Sequence, residues 1–254
     1  MKRLALLFLV SCLALPLRAE DVVEVAQVET PTVLALADGR RLRLAGLEGP
    51  LPQHEGLTAA GRRALIDLLE GDALLLPAEG QRLDRLDRAL AQAFRQSDGL
   101  WLQAWLLRHG FARVDPFTAP PGRRLELYAA EAEARRTGKG IWSHRAYALR
   151  DSAPESLLPW IGSLQVLEGQ VLKTGKGRGD LYLNFGEDRA SDTTARIARR
   201  HLRVFAEAGF DRERLEGATL RLRGWIQSWN GPFVELHSPA QIELLAEAEP
   251  KLPP

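Results

Sequence analysis

Arg43-Leu44-Ala45-Gly46-Leu47-Glu48-Gly49-Pro50-Leu51 is the stretch on which the reading of this chain turns. The run Arg41-Leu42-Arg43-Leu44 alternates polar and apolar residues with the two-residue period of a strand. Gly46, Gly49 and Pro50 then break that period, so the segment reads as a strand end followed by a turn. Upstream, residues 22–28 and 32–36 read as two further strands, and Asp38-Gly39 suits a hairpin turn. Downstream, a helix is expected over 57–69, with Thr58 near its start and Gly71 as a stop. Residues 73–76 and 89–94 read as short strands. Helices follow at 101–109, ended by Gly110, and at 124–137, ended by Gly138. Strands that come first, with helices inserted and appended, suit a five-stranded barrel of OB type with packed helices.

The chain has 254 residues, room for one large domain or two small ones. Lys2 and Arg3 precede an apolar run over 4–15, and Leu17-Arg18-Ala19 follows, the layout of a secretory signal peptide. Residues 1–19 are therefore expected to be a leader, placing the mature protein in the periplasm or outside the cell. Leu9-Val10-Ser11-Cys12 offers an alternative, a lipobox with Cys12 as the lipid anchor. Cys12 is the single cysteine, so a mature chain cut after Ala19 has no disulfide and no thiolate metal ligand. That cut removes Lys2, Arg3 and Arg18 from the 34 basic residues and none of the 33 acidic ones, leaving a net charge of −2. Nucleic-acid binders usually carry a basic excess, because phosphate contacts supply most of their affinity. The bulk charge balance therefore favours a protein partner over a polyanion and leaves room for a local basic patch.

Several landmarks around the opening stretch recur in fixed order. Ala37-Asp38-Gly39-Arg40-Arg41 leads into Arg43. Leu68-Leu69-Glu70-Gly71 ends the first helix, and Asp84-Arg85-Leu86-Asp87-Arg88 follows. Leu106-Leu107-Arg108-His109-Gly110-Phe111-Ala112 and Gly140-Ile141-Trp142 complete the series. Together they resemble the thermonuclease, or staphylococcal nuclease-like, family over residues 22–144. The resemblance implies phosphodiester hydrolysis by three kinds of group. Carboxylates hold Ca²⁺, a Glu activates water, and two arginines bind the phosphate oxygens. By position, Arg43 and Arg88 match the two arginines. The general-base position is Leu51, whose alkyl side chain cannot take a proton. Pro31 stands where the first metal carboxylate belongs, and Glu48 replaces a second Asp ligand. Gly49 replaces a Thr that ligates through its carbonyl, and Asp87 replaces a Gly beside Arg88. The implied enzyme is therefore degenerate. If it is active, it uses Ca²⁺ or another metal at Glu48, with His54 or Glu55 close enough to be considered as a base. Arg43 and Arg88 also have structural readings, as partners of Glu48 and of Asp84 or Asp87. Glu131 reads as a helix-packing residue bonded to a loop.

The boundaries expected are 20–146 for this first domain, 147–162 for a linker, 163–246 for a second OB-like barrel and 247–254 for a disordered tail. In the second domain, residues 164–172 read as a strand and Lys173-Thr174-Gly175-Lys176-Gly177-Arg178-Gly179 as a flexible basic hairpin. Residues 180–186 return as a strand, a helix is expected over 193–208, and a hairpin closes around Asn230-Gly231-Pro232. Tyr-Leu-Asn-Phe-Gly and the Arg-Gly-Trp…Asn-Gly-Pro hairpin resemble a C-terminal region of some bacterial thermonuclease-like proteins. Lys173, Lys176 and Arg178 on their Gly-rich loop are candidate anion contacts. Arg196, Arg200 and Arg203, spaced for one face of the expected helix, are candidates too. Trp225 and Trp229 are candidate stacking residues. The function expected is an exported, degenerate binding module of the envelope, with an unknown protein or a polyanion as partner and no cofactor. The alternative is an active nuclease with altered metal use.

Overall fold

The computed structural model of the chain describes residues 21–77, 82–188 and 190–246. The expected leader and C-terminal tail lie outside the described residues. No helix among the described residues is long and apolar enough to cross a membrane.

The first unit contains β1 (Asp21–Val23), β2 (Val25–Thr30), β3 (Val33–Leu36), β4 (Arg41–Leu44), β5 (Leu47–Glu48), α1 (Glu55–Leu69), β6 (Leu74–Leu76), β7 (Arg82–Leu83), β8 (Ala89–Ala91), β9 (Phe94–Arg95), α2 (Leu102–Arg108), β10 (Arg113–Val114) and α3 (Arg124–Arg136). β1 and β2 act as two halves of one bent strand, β1 pairing with β6 and β2 with β3. β3 runs antiparallel to β4, β4 parallel to β8, and β9 antiparallel to β6. That is the pairing pattern of a five-stranded OB barrel. The single strand expected over 89–94 is two, because the chain bends at Gln92-Ala93 to pair first with β4 and then with β6. The two-residue period places Leu34, Leu42 and Leu44 in a fully buried core and leaves Arg41 and Arg43 on the outer face. Each such leucine contributes about 1.5–3 kcal/mol.

The second unit contains β11 (Arg150–Asp151), α4 (Pro154–Leu157), β12 (Leu164–Gln170), β13 (Lys173–Gly177), β14 (Asp180–Asn184), β15 (Thr194–Ile197), α5 (Leu202–Glu207), α6 (Arg212–Leu215), β16 (Thr219–Ser228), β17 (Pro232–Leu236) and β18 (Ile242–Ala246). It repeats the same pattern. β12 pairs with β16 and β13 with β14, β14 is antiparallel to β15, β15 parallel to β17, and β17 antiparallel to β16. In both barrels the third and fifth strands are parallel and the helical crossover lies between the third and fourth. The basic hairpin is a regular β13–β14 pair, with Arg178 and Gly179 both in the left-handed region at its turn.

Two expectations are corrected here. Residues 193–208 are not one helix. Thr194–Ile197 is β15, a central strand held on both sides, and the helical part is a 3₁₀ turn at Arg199–His201 followed by α5. The Ala- and Arg-rich composition favours helix, but the inward pair Ala195 and Ile197 fills a gap between two strands, and that tertiary pairing prevails. Segment 147–162, expected as a linker, carries secondary structure and packs against the second unit. β11 pairs with β12, and Leu157 is fully buried in the second core.

The units meet across α3. Glu131 of α3 is fully buried and faces Arg223 of β16, itself almost fully buried, at 2.6 Å. Glu131 also accepts from the Val114 N–H of β10 at 2.8 Å and from Arg135 of its own helix at 3.0 Å, so it bonds to a strand and to α3 where a loop partner is expected. Glu243 of β18 holds the other side of Arg223 and pairs with Arg221 at 3.0 Å. Burial alone would push the Glu131 carboxyl up, but the Arg223 charge and hydrogen bond, the Val114 N–H and the Arg135 charge together outweigh it and hold the group below the usual carboxylate range. Burial likewise works against the Arg223 cation, and Glu131 and Glu243 more than offset it, raising its pKa. The Tyr128 hydroxyl donates to the Ala240 carbonyl across the same contact.

Candidate functional site

Arg43 lies on β4 with Leu42 and Leu44 turned inward, so its side chain stands on the outer wall of the first barrel. Its Nη2 contacts Asp115 Oδ2 at 3.0 Å, not the nearby Glu48. Asp115 is held in place by three further bonds. Its Oδ1 accepts from the Phe117 N–H, its Oδ2 from the Thr118 hydroxyl, and its own N–H donates to the Gly46 carbonyl. Arg113, two residues earlier, stands directly across from Glu48 in the β10–β5 pair, Nη2 to Oε1 at 3.5 Å. Burial pushes the Glu48 carboxyl above its usual range, and the Arg113 charge offsets this only in part.

Arg88 closes the turn that begins at Asp84. Both Asp84 oxygens are used. Oδ1 accepts from the Leu86 and Arg88 N–H groups, and Oδ2 from the Arg88 guanidinium at 2.7–2.8 Å. Burial would raise the Asp84 carboxyl, but the Arg88 hydrogen bond and the two backbone donors pull it down to about 2. Asp87 sits in the left-handed region, φ 54°, and is not the partner of Arg88. Both candidate phosphate arginines are thus paired within the chain.

Leu51 and His54 belong to a different wall. The Leu51 side chain packs against the cluster of Trp142, Tyr147 and Val166. Its N–H donates to the Tyr147 hydroxyl at 2.7 Å, and that hydroxyl shares a 2.7 Å hydrogen bond with His54 Nδ1. His54 also lies 4.3 Å from the ring of His144. Pro31 is buried with its ring against α1 at Gly61, where an added Cβ would lie 2.7 Å from Pro31 Cγ. A Ca²⁺ site needs six to eight oxygens. Pro31 offers no side-chain oxygen, Glu48 is committed to Arg113, and Asp115 to Arg43. Among the described residues no group of three or more His, Cys, Asp or Glu side chains is placed to hold a metal ion. The donor set does not fit the ion that the resemblance implies.

The second barrel completes the site. Two cavities of about 620 and 630 Å³ share Glu48, Leu164 and Trp225, forming one groove along the interface. The larger runs past Leu51 and His54 to Trp160, the other past Arg43, Arg88 and Phe117. Trp225, half exposed, therefore stands over the outer wall of the first barrel.

The remaining candidates lie elsewhere. Lys173, Lys176 and Arg178 are exposed on the β13–β14 hairpin. Arg196, Arg200 and Arg203 do not share a face. Arg196 is on β15, paired with Glu235 at 2.7 Å and Asp180 at 3.7 Å; Arg200 is in the 3₁₀ turn; Arg203 is on α5. Asp115 and Arg113 were missed because their partners lie far away in sequence. The polar–apolar–polar order of Arg113-Val114-Asp115 is the available signal, although all three residues are buried.

Glu48 gives a pH test of this electrostatic picture. Its folded pKa is raised, so its contribution to stability is present below the unfolded value of 4.5 and is lost as pH rises through the folded value. Glu48→Gln is expected to gain stability relative to the parent at pH 7 compared with pH 4, read as the shift in urea midpoint. An equal difference at both pH values would contradict it.

Residues 43–144 match the family model described as staphylococcal nuclease homologue. No curated protein matches the chain.

Proposed function

Taking residues 43–144 as a staphylococcal nuclease-like domain, we propose that the protein is an exported binding module that holds an extended polyanion between its barrels without cutting it. The observation that carries this reading is the groove wall. Arg43, Arg82, Arg85, Arg88, Arg113 and Arg145 line it against the carboxylates Glu48, Asp84 and Asp115. A chain with nearly balanced bulk charge gathers a local arginine excess there, and this shifts the choice of partner from protein to polyanion. Arginine forks suit phosphate oxygens, and Trp225 offers a ring face beside them. Cleavage is the part of the chemistry implied by the family resemblance that the groove residues do not support. Leu51 supplies no base, a loss of roughly 10²–10⁴-fold in rate, and its N–H and side chain are both engaged by the wall. The leader pattern over residues 1–19 supports an envelope location, with a Cys12 anchor as its variant form.

The test incubates the mature chain with labelled single-stranded DNA and RNA, with Ca²⁺ and with other divalent ions. The expected result is retention without cleavage. Cleavage that disappears in Arg43→Ala or Arg88→Ala would overturn the degenerate reading. Leu51→Glu combined with Pro31→Asp then asks whether cutting can be installed. Absence of binding at low salt would overturn the polyanion reading and leave a protein partner.

A further inference from the structure

A second cleft, of about 200 Å³, lies on the outer face of the second barrel, away from the groove wall of the first. Its floor follows from strand register. Residues directly opposite each other in paired strands share a face. Gly175, Tyr182, Arg196 and Glu235 form one such row across β13, β14, β15 and β17. Lys173, Asn184, Thr194, Phe233 and Gln227 form the next. The inward residues of the same strands, such as Leu183, Ala195 and Val234, are fully buried in the core. The polar and aromatic rows therefore lie on the outer side of the sheet, where Asn184 and Phe233 are themselves covered and Tyr182, Thr194 and Gln227 reach solvent.

The chemistry of this surface points to a planar ligand. Gly175 and Gly177 place no side chain beside the Tyr182 ring. A Cβ at Gly177 would come within 3.3 Å of it, so glycine keeps one edge of the ring open. Trp229, 49% exposed, leans on Phe233 at 5.1 Å. The Arg196 guanidinium lies 5.6 Å from both of those rings, fixed there by Glu235. Its Nε is buried without a hydrogen-bond partner. Lys176 lines the cleft, and Lys173 and Arg178 flank it on the same hairpin. Among the described residues none of these three cations is paired with a carboxylate. The same face also continues into the groove, since Trp225 is two residues from Gln227 on β16 and points to the same side.

We propose that this face of the second barrel is a base-stacking platform for single-stranded nucleic acid, with Tyr182 and Trp229 as the stacking residues and Lys176 as a phosphate contact. The volume admits a single ring system and no folded partner. A sugar ring could stack in the same cleft, but unpaired cations at its rim and continuity with an arginine-lined groove favour a phosphate-linked base. For its class of ligand the inference rests on the polyanion reading of the groove, and its residues are separate from that groove.

The experiment measures anisotropy of a fluorescein-labelled oligothymidylate with the full mature chain. Tyr182→Ala and Trp229→Ala are each expected to weaken binding about 5- to 150-fold, the range for loss of one base–aromatic stack. Lys176→Glu, a surface change that disturbs no packing, is expected to weaken it as well and to flatten its salt dependence. Unchanged affinity in Lys176→Glu and in a Trp229→Ala protein with wild-type melting overturns the platform. So does loss of chitooligosaccharide binding in those variants with oligonucleotide binding intact, which would assign the cleft to glycan. Arg88→Ala in the same assay separates the two readings. If it has no effect while Trp229→Ala does, the groove fails and the platform stands; the reverse outcome removes the platform alone.

Discussion

Arg223→Ala is expected to destabilise the protein by about 3–5 kcal/mol, the usual cost of removing one partner of a buried ion pair. Arg223 is 1% exposed and Glu131 not at all, so removal of the cation leaves a carboxylate with no water to turn to. Arg135 and the Val114 N–H still touch Glu131, which keeps the expected loss within that range. The pair also joins α3 of the first unit to β16 of the second, so the loss falls on the interface. If the parent unfolds in urea as one transition, the variant is expected to show two, with the barrels melting separately. Glu131→Leu with Arg223→Met tests whether the charge or the contact matters. Apolar replacement of both partners is often nearly neutral, so the double variant should recover much of the stability. It should not recover all of it, because Val114 loses its acceptor. A single-variant loss below about 1 kcal/mol would mean that the interface tolerates an unpaired buried carboxylate, contrary to the general cost of such groups.

The first barrel was legible because its signals are local. The alternation at 41–44, the glycines at helix ends and the spacing from Arg43 to Glu48 and Leu51 need no knowledge of distant contacts. Gly110 and Gly140 show how far that goes. Each is in the left-handed region, and a Cβ on either would lie about 2.1–2.2 Å from the backbone of the other segment. Both glycines could be read as punctuation; their mutual approach could not. In the second barrel, β15 was misread as helix because its local composition favours helix, while its state is set by β14 on one side and β17 on the other. The candidate site divides in the same way. Arg43, Glu48, Leu51 and Arg88 follow from motif spacing. Asp115, 72 residues from Arg43, and Trp225, supplied by the other barrel, follow only from packing. Net charge was the least informative signal of all. It averages over surfaces where acids and bases cancel, such as Glu29 with Arg41 and Asp98 with Arg95, and so conceals a groove where arginines outnumber carboxylates.

Asp84→Asn is expected to tighten oligonucleotide binding, and this is the largest effect that the groove reading demands against intuition. Asp84 is ionised at any working pH, since its carboxyl is held near 2, and it spends its charge on Arg88. A phosphate entering the groove must compete with it. Asn keeps an oxygen for the Leu86 and Arg88 N–H groups and so preserves the turn, while the guanidinium is released. Asp115→Asn should act in the same direction at Arg43, with its oxygen still accepting from the Phe117 N–H. The parent protein should lose affinity on the order of 100-fold between roughly 50 and 200 mM salt, if about five phosphates are neutralised on a single strand. Arg88→Ala should reduce the slope of log affinity against log salt by about 0.7, the value of one single-strand contact. Asp84→Asn should raise affinity at low salt and leave the slope equal or steeper. If the Arg88–Asp84 pair only staples the turn, neither variant changes the slope and Asp84→Asn lowers stability alone. The carboxylates would then be the reason the groove no longer holds phosphate, and the arginines a remnant of sequence with a purely structural duty.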